Sequence, residues 1–244
     1  MALDRRLLGR RIAVLAADGF EKVELTTPVA ALRVACADVE IVSLQRGRIR
    51  GVDVGQPALR IAVDRTLDDA DARDYDALLV PGGSIAPDVL RQSKAARAFA
   101  AAFDAAGKPI ATLGHGACLL ASAAPVSGRA VTSGPGIRDD LLRAGAIWVE
   151  QAVVRDGNWL TGRGAQDLGA FPGALVDHFA GAGRDERAPD RAAPSHPNAS
   201  RSLLGVLQRA PRLSLGAATV AVALLVLVAM RVRQRPQAPA LGWS

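Results

Sequence analysis

The chain has 244 residues, 30 Lys+Arg against 24 Asp+Glu, two cysteines and 4% aromatic residues, and half of it is apolar. This suits one α/β-sized domain with an appendage and excludes collagen, a disulfide scaffold and a wholly disordered chain. Cys36 and Cys118 are too few and too far apart for a disulfide framework, so a reducing compartment is the expectation. The positive balance is local: residues 1–182 hold 21 basic and 21 acidic side chains, whereas residues 183–244 hold nine arginines against Asp185, Glu186 and Asp190. A neutral body with few rings argues against nucleic-acid binding.

At the N-terminus, Arg5-Arg6 and Arg10-Arg11 precede an apolar run, Ile12 to Ala17, that stops at Asp18 and is too short for a secretion-signal core. Strand-like runs recur at Arg11–Ala16, Val39–Ser43, Leu59–Val63, Ala77–Val80, Ile110–Leu113 and Ala130–Thr132. Helical spacing with Ala-rich composition covers Thr27–Ala37 and Ser93–Ala106. The alternation predicts an α/β fold with a mostly parallel sheet sandwiched by helices. Ligands in such folds sit at the carboxyl ends of strands, which directs attention to Gly82-Gly83 and to Gly114-His115-Gly116.

Residues 183–212, with Pro189, Pro194, Pro197 and Pro211 and no apolar period, predict a disordered linker. Residues 213–230 carry no charge between Arg212 and Arg231, and predict a single transmembrane helix that inserts the chain in a lipid bilayer. At about 1.5 Å per residue the run covers roughly 27 Å, and the flanking arginines can snorkel to complete the crossing. A buried core helix or a self-association segment is the alternative reading of the same run. Residues 231–244 form a short basic tail whose Arg231, Arg233 and Arg235 are balanced by Arg201, Arg209 and Arg212 before the span. Without an export signal, the N-terminal domain is expected on the cytoplasmic side.

Longer motifs add a resemblance. Arg11-Ile-Ala-Val-Leu15, Gly19-Phe-Glu-Lys-Val-Glu-Leu25, Tyr75-Asp-Ala-Leu-Leu-Val-Pro-Gly-Gly83, Gly107-Lys-Pro-Ile110, Thr132-Ser-Gly-Pro-Gly-Ile-Arg-Asp-Asp140 and Val154-Arg-Asp-Gly-Asn-Trp159 stand in the same order as in a known family. Over residues 8–182 the chain resembles the ThiJ/PfpI family of intracellular cysteine proteases and deglycases, within the class I glutamine amidotransferase-like superfamily. The resemblance implies a flavodoxin-like fold, homo-oligomers and a nucleophilic cysteine in a Cys-His-Gly elbow, where a helix N-terminus and backbone N–H groups support thiolate and oxyanion. Here the elbow reads Gly114-His115-Gly116, and the nucleophile position has no side chain.

By the same resemblance Glu21 corresponds to the buried carboxylate beside the thiol, His115 to the adjacent histidine, and Asp88 to an acidic residue some members supply across a subunit interface. Gly134 stands where the proteases often carry a tyrosine. Gly82, Gly83 and Gly116 are expected to present backbone donors to an anion or carbonyl oxygen. Glu21 also reads as a helix-start carboxylate, and His115 as a histidine bonded beside a turn. Cys118, one turn beyond Gly114, reads either as a relocated nucleophile or as a small packed residue, and Cys36 as packing. His178 and His196 lack partners at metal-ligand spacing, so no metal or cofactor is expected. The expected function is a membrane-tethered, non-catalytic binding or regulatory module for a small molecule or peptide. The alternative is a hydrolase that uses Cys118, or water positioned by Glu21 and His115; a third reading is an oligomerisation platform.

Overall fold

A computed structural model describes residues 4–52 and 59–181. The predicted linker 183–212 (with His196), the predicted span 213–230 and the basic tail 231–244 lie outside the described residues. Among the described residues, no helix is long and apolar enough to cross a membrane.

The chain opens with β1 (Arg11–Leu15), β2 (Phe20–Glu21), α1 (Lys22–Val34) and β3 (Asp38–Ser43). Next come β4 (Arg48–Val52), β5 (Arg60–Ala62), β6 (Arg65–Thr66), β7 (Ala77–Val80), α2 (Ala86–Gln92) and α3 (Lys94–Ala105). They are followed by β8 (Ile110–Leu113), α4 (Ala117–Ala123), β9 (Ala130–Val131), α5 (Arg138–Arg143) and β10 (Ile147–Trp148). The series ends with β11 (Val153–Asp156), β12 (Trp159–Gly162) and α6 (Phe171–Ala180).

Seven strands form the main sheet in the order β11-β12-β8-β7-β1-β3-β6, and every neighbouring pair is parallel except β11 with β12. The fold is therefore the mostly parallel, flavodoxin-like α/β arrangement the sequence predicts. Its central strands β7 and β8 have no exposed residue, and β1 is buried from Ile12 onward, which explains their nearly continuous apolar sequences: both faces of the sheet are covered. Beside them, Phe99 meets Tyr75 and Phe103 edge to face, with ring centroids 6.1 and 5.3 Å apart.

Two predicted strands belong elsewhere. The run at Leu59–Val63 becomes β5, which pairs antiparallel with β4 in a small three-stranded sheet with β2. Its exposed–intermediate–exposed pattern shows why: one face meets solvent, which a central parallel strand does not permit. The run at Ala130–Thr132 becomes β9 and pairs with β10 in a two-stranded sheet. The helix predicted over 93–106 is α3, with the Ser93 side chain accepting the Ala96 N–H as its cap. The helix predicted to start at Thr27 begins five residues earlier, at Lys22, and encloses Pro28.

Strand β1 lies between β3 and β7, so the chain fills one half of the sheet after β1 and the other half from β7 onward. That reversal opens a crevice at the carboxyl ends of β1 and β7. The segments that leave these ends and the end of β8 are Ala16–Phe20, Pro81–Ile85 and Gly114–Gly116.

Candidate functional site

Strand β8 ends at Leu113 and passes through a single helical turn, Gly114–Gly116, into α4. Gly114 has φ +57°, a conformation that strains any residue with a Cβ. A Cβ built there would stand 2.6 Å from Oε2 and 2.9 Å from Oε1 of Glu24. The buried carboxylate at the elbow is thus Glu24 and not Glu21, which corrects the assignment made from the resemblance.

The cause lies in how α1 starts. Glu21 is its N-cap, and its carboxylate accepts the Glu24 N–H at 2.7 Å. Glu24 sits three residues on, in the first turn, where its side chain is only 6% exposed. Among the described residues, Oε2 of Glu24 has no hydrogen-bond partner. Burial pushes its carboxyl up to about 7; the Glu21 charge adds to this, while the backbone N–H groups of Ala165 and Gly82 pull the other way.

The walls around Glu24 are backbone. A Cβ on Gly82 would fall 2.0 Å from Oε2 of Glu24 and 2.6 Å from the Leu113 carbonyl oxygen, and one on Gly116 would fall 2.4 Å from the Val80 carbonyl oxygen. Gly83 presses on the Gly19–Glu21 segment in the same way. The Glu21 N–H donates to the Gly82 carbonyl at 3.0 Å, and the Gly134 N–H donates to the Gly114 carbonyl at 3.2 Å. Of the glycines expected to offer backbone to a ligand, Gly82 therefore abuts Glu24, Gly83 and Gly116 pack against neighbouring backbone, and none of the three leaves room for a side chain.

His115 is half-buried beside the turn. Its ring lies against the backbone of Gly134 and Gly136, where Cβ atoms would come within 3.3 and 2.8 Å of it. The glycine at 134 is part of what makes room for that ring. Asp88 is not brought to Glu24 within the described residues. It lies on α2, half exposed, with its carboxylate held by Arg91 at 2.6 Å and Gln92 at 3.0 Å.

Cys118 is half-buried on α4 against the core. Burial raises its thiol pKa, and the charges of Asp140 and Asp88 add to this against Arg91, so the thiol stays protonated and is a poor nucleophile. His178 is buried; its Nε2 donates to the Asn158 carbonyl at 3.0 Å, and burial pulls its pKa down to about 4. Among the described residues no three His, Cys, Asp or Glu side chains come together as metal ligands.

A family model described as the DJ-1/PfpI family matches residues 10–178. The chain belongs to the DJ-1/PfpI family. Among its relatives in the family, a deglycase of Thermococcus kodakarensis is 38% identical over 161 residues, which is 66% of this chain and 94% of that protein. Deglycase PfpI of Pyrococcus furiosus is 39% identical with the same coverage. In the crystal structure of an Anabaena variabilis protein with DJ-1/ThiJ/PfpI-like and ferritin-like domains, the match has a TM-score of 0.65 and 28% identity. It spans 75% of this chain and 52% of that one.

Proposed function

We propose that this DJ-1/PfpI domain is a non-catalytic binding or regulatory module, tethered by residues 213–230 to the cytosolic face of a membrane and assembled as a homo-oligomer. The observation that carries the reading is the relation of Glu24 to Gly114: the elbow position that the resemblance matches to the family's nucleophile is a glycine, and a buried carboxyl group closes the space where a side chain would begin. A covalent intermediate needs an atom there. What remains at the elbow is a buried carboxyl that changes protonation near neutral pH, able to donate to a carbonyl oxygen or accept from an amide of a small molecule or peptide that reaches it. The raised pKa of the half-buried Cys118 thiol supports the same reading.

A second reading keeps catalysis. A carboxyl with a pKa of about 7 is suited to proton transfer, and relatives of the chain are named deglycases. Water held by Glu24 and His115 would then replace the missing nucleophile.

One experiment separates the two. The full chain is assayed on a peptide carrying methylglyoxal adducts and on unmodified peptide substrates, beside Glu24→Gln and Cys118→Ser. The binding reading expects no turnover in any of the three. Turnover that Glu24→Gln abolishes establishes the second reading; turnover that Cys118→Ser abolishes assigns the chemistry to that thiol. For the tether, the full chain is expected in the carbonate-resistant membrane fraction, and a chain lacking 213–230 in the supernatant.

A further inference from the structure

Outside the elbow, the structure contains a cleft of about 460 Å³ lined by Asp18, Gly19, Arg48, Arg50, Gly51, Val52, Arg60 and Ile85. Its floor is the β4–β5 ribbon. Alternation along β4 turns Ile49 inward, fully buried, and leaves Arg48, Arg50 and Val52 outward. The register places Arg50 directly opposite Arg60, and like charges in that position destabilise a strand pair. Among the described residues none of the three guanidinium groups has an acidic partner, whereas nearby Arg46 is paired with Asp69 at 2.8 Å.

The acid in the cleft is already engaged. Asp18 accepts the Arg50 backbone N–H at 2.7 Å and the Gln45 side-chain amide at 3.1 Å, which fixes the ribbon and leaves the guanidinium forks free. Phe20 lies so close beneath Gly51 that a Cβ there would come within 2.7 Å of its ring, so the ribbon is seated on the core. Val52 and Ile85, both exposed, supply the apolar part of the lining.

We propose that this cleft is a binding site for a small soluble phosphomonoester with an apolar group. Three arginines lining one cleft match the dianionic head, because the planar fork of arginine pairs bidentately with phosphate oxygens. A bound dianion also relieves the Arg50–Arg60 repulsion that the free ribbon carries. Val52 and Ile85 take the apolar group, and the volume is that of a small-molecule site. Of the segments that leave the strand ends at the elbow, the cleft includes only Asp18, Gly19 and Ile85, and the site does not depend on whether Gly114 supports turnover.

The probes are phenyl phosphate and inorganic phosphate, titrated calorimetrically into the full chain, into Arg50→Gln and Arg60→Gln, and into Arg46→Gln as a control outside the cleft. Saturable one-to-one binding is expected, tighter for phenyl phosphate. Each cleft variant should bind at least about tenfold more weakly, as loss of a charge-assisted hydrogen bond implies, and Arg46→Gln should match the native chain. Neither cleft variant should melt below the native chain without ligand, since each removes one of two opposed like charges; this keeps lost binding distinct from lost folding. Absence of saturable binding up to about 10 mM, a free energy weaker than about 3 kcal/mol, overturns the proposal. Binding unchanged in both cleft variants overturns it too. Vesicles containing phosphatidic acid are added as competitor: no displacement of phenyl phosphate supports a soluble ligand, and full displacement overturns that source in favour of a lipid headgroup.

Discussion

Oε2 of Glu24 lies 2.6 Å from the point where a side chain on residue 114 would begin, so the carboxyl group and the elbow glycine occupy one shared space. Any residue other than glycine at 114 must displace Glu24 and adopt φ +57°. Two costs therefore act at one position.

Gly114→Ala is expected to destabilise the protein by about 1–3 kcal/mol, from the left-handed backbone and the Glu24 contact together. Glu24→Ala removes the contact and leaves the backbone cost. In a double-mutant cycle followed by urea unfolding, the pair should couple by roughly 0.5–3 kcal/mol, and strict additivity would mean that Glu24 does not close on residue 114.

Glu24 also leaves a signature in the dependence of stability on pH. Its folded pKa of about 7 lies above the ordinary carboxylate value of 4.5, so the folded protein binds the extra proton between these values. Stability from this group is present below pH 4.5 and is lost as pH rises through 7. Glu24→Gln should therefore be more stable than the native protein at pH 8, by on the order of 3 kcal/mol, and equal to it below pH 4.5. Thermal melts across that range test the sign.

His178 acts in the opposite sense over nearly the same window. Its folded pKa of about 4 lies below the ordinary 6.5, so the unfolded chain takes up the proton first and stability is lost as pH falls below 6.5. His178→Gln should flatten that loss, on the order of 3 kcal/mol by pH 4. The native protein shows the two effects offset, and the single variants separate them.

Away from the site, Asp104 on α3 is the acceptor that ties down the start of β12. Its Oδ1 receives Trp159 Nε1 at 2.6 Å, Asn158 Nδ2 at 3.1 Å and Arg129 Nη2 at 3.1 Å, with the Arg129 guanidinium 4.3 Å above the Trp159 ring. Asp104→Ala strands these donors, and a loss of about 2–4 kcal/mol in denaturant unfolding is expected.

The fold was legible in the sequence where burial is complete. Strands β1, β7 and β8 are covered on both faces and so read as apolar runs without alternation. Strands β5 and β9 read as strands, but a short pattern does not encode which sheet a strand joins. The turns at Gly114-His115-Gly116 and Gly82-Gly83, which follow β8 and β7, were legible as the loops at the strand ends. The choice between Glu21 and Glu24 was not, because the two stand three apart in one motif and only the start of α1 decides which turns inward. Pro28 obscures that start, since proline is usual in the first turn of a helix and here lies inside it. The arginine cleft was hidden for a different reason: Arg50 and Arg60 are ten positions apart in the sequence and meet only through the β4–β5 register.

The central claim is that the elbow keeps the family's site without its nucleophile, and Gly114→Cys in the full chain tests it most directly. Glu24 can yield because the atoms in the way are the end of a flexible side chain. The measurement is turnover of a methylglyoxal-adducted peptide by Gly114→Cys beside the native chain. The account predicts turnover in the variant, abolished by iodoacetamide, and none in the native protein. Turnover in the native chain at the rate of the variant would contradict it.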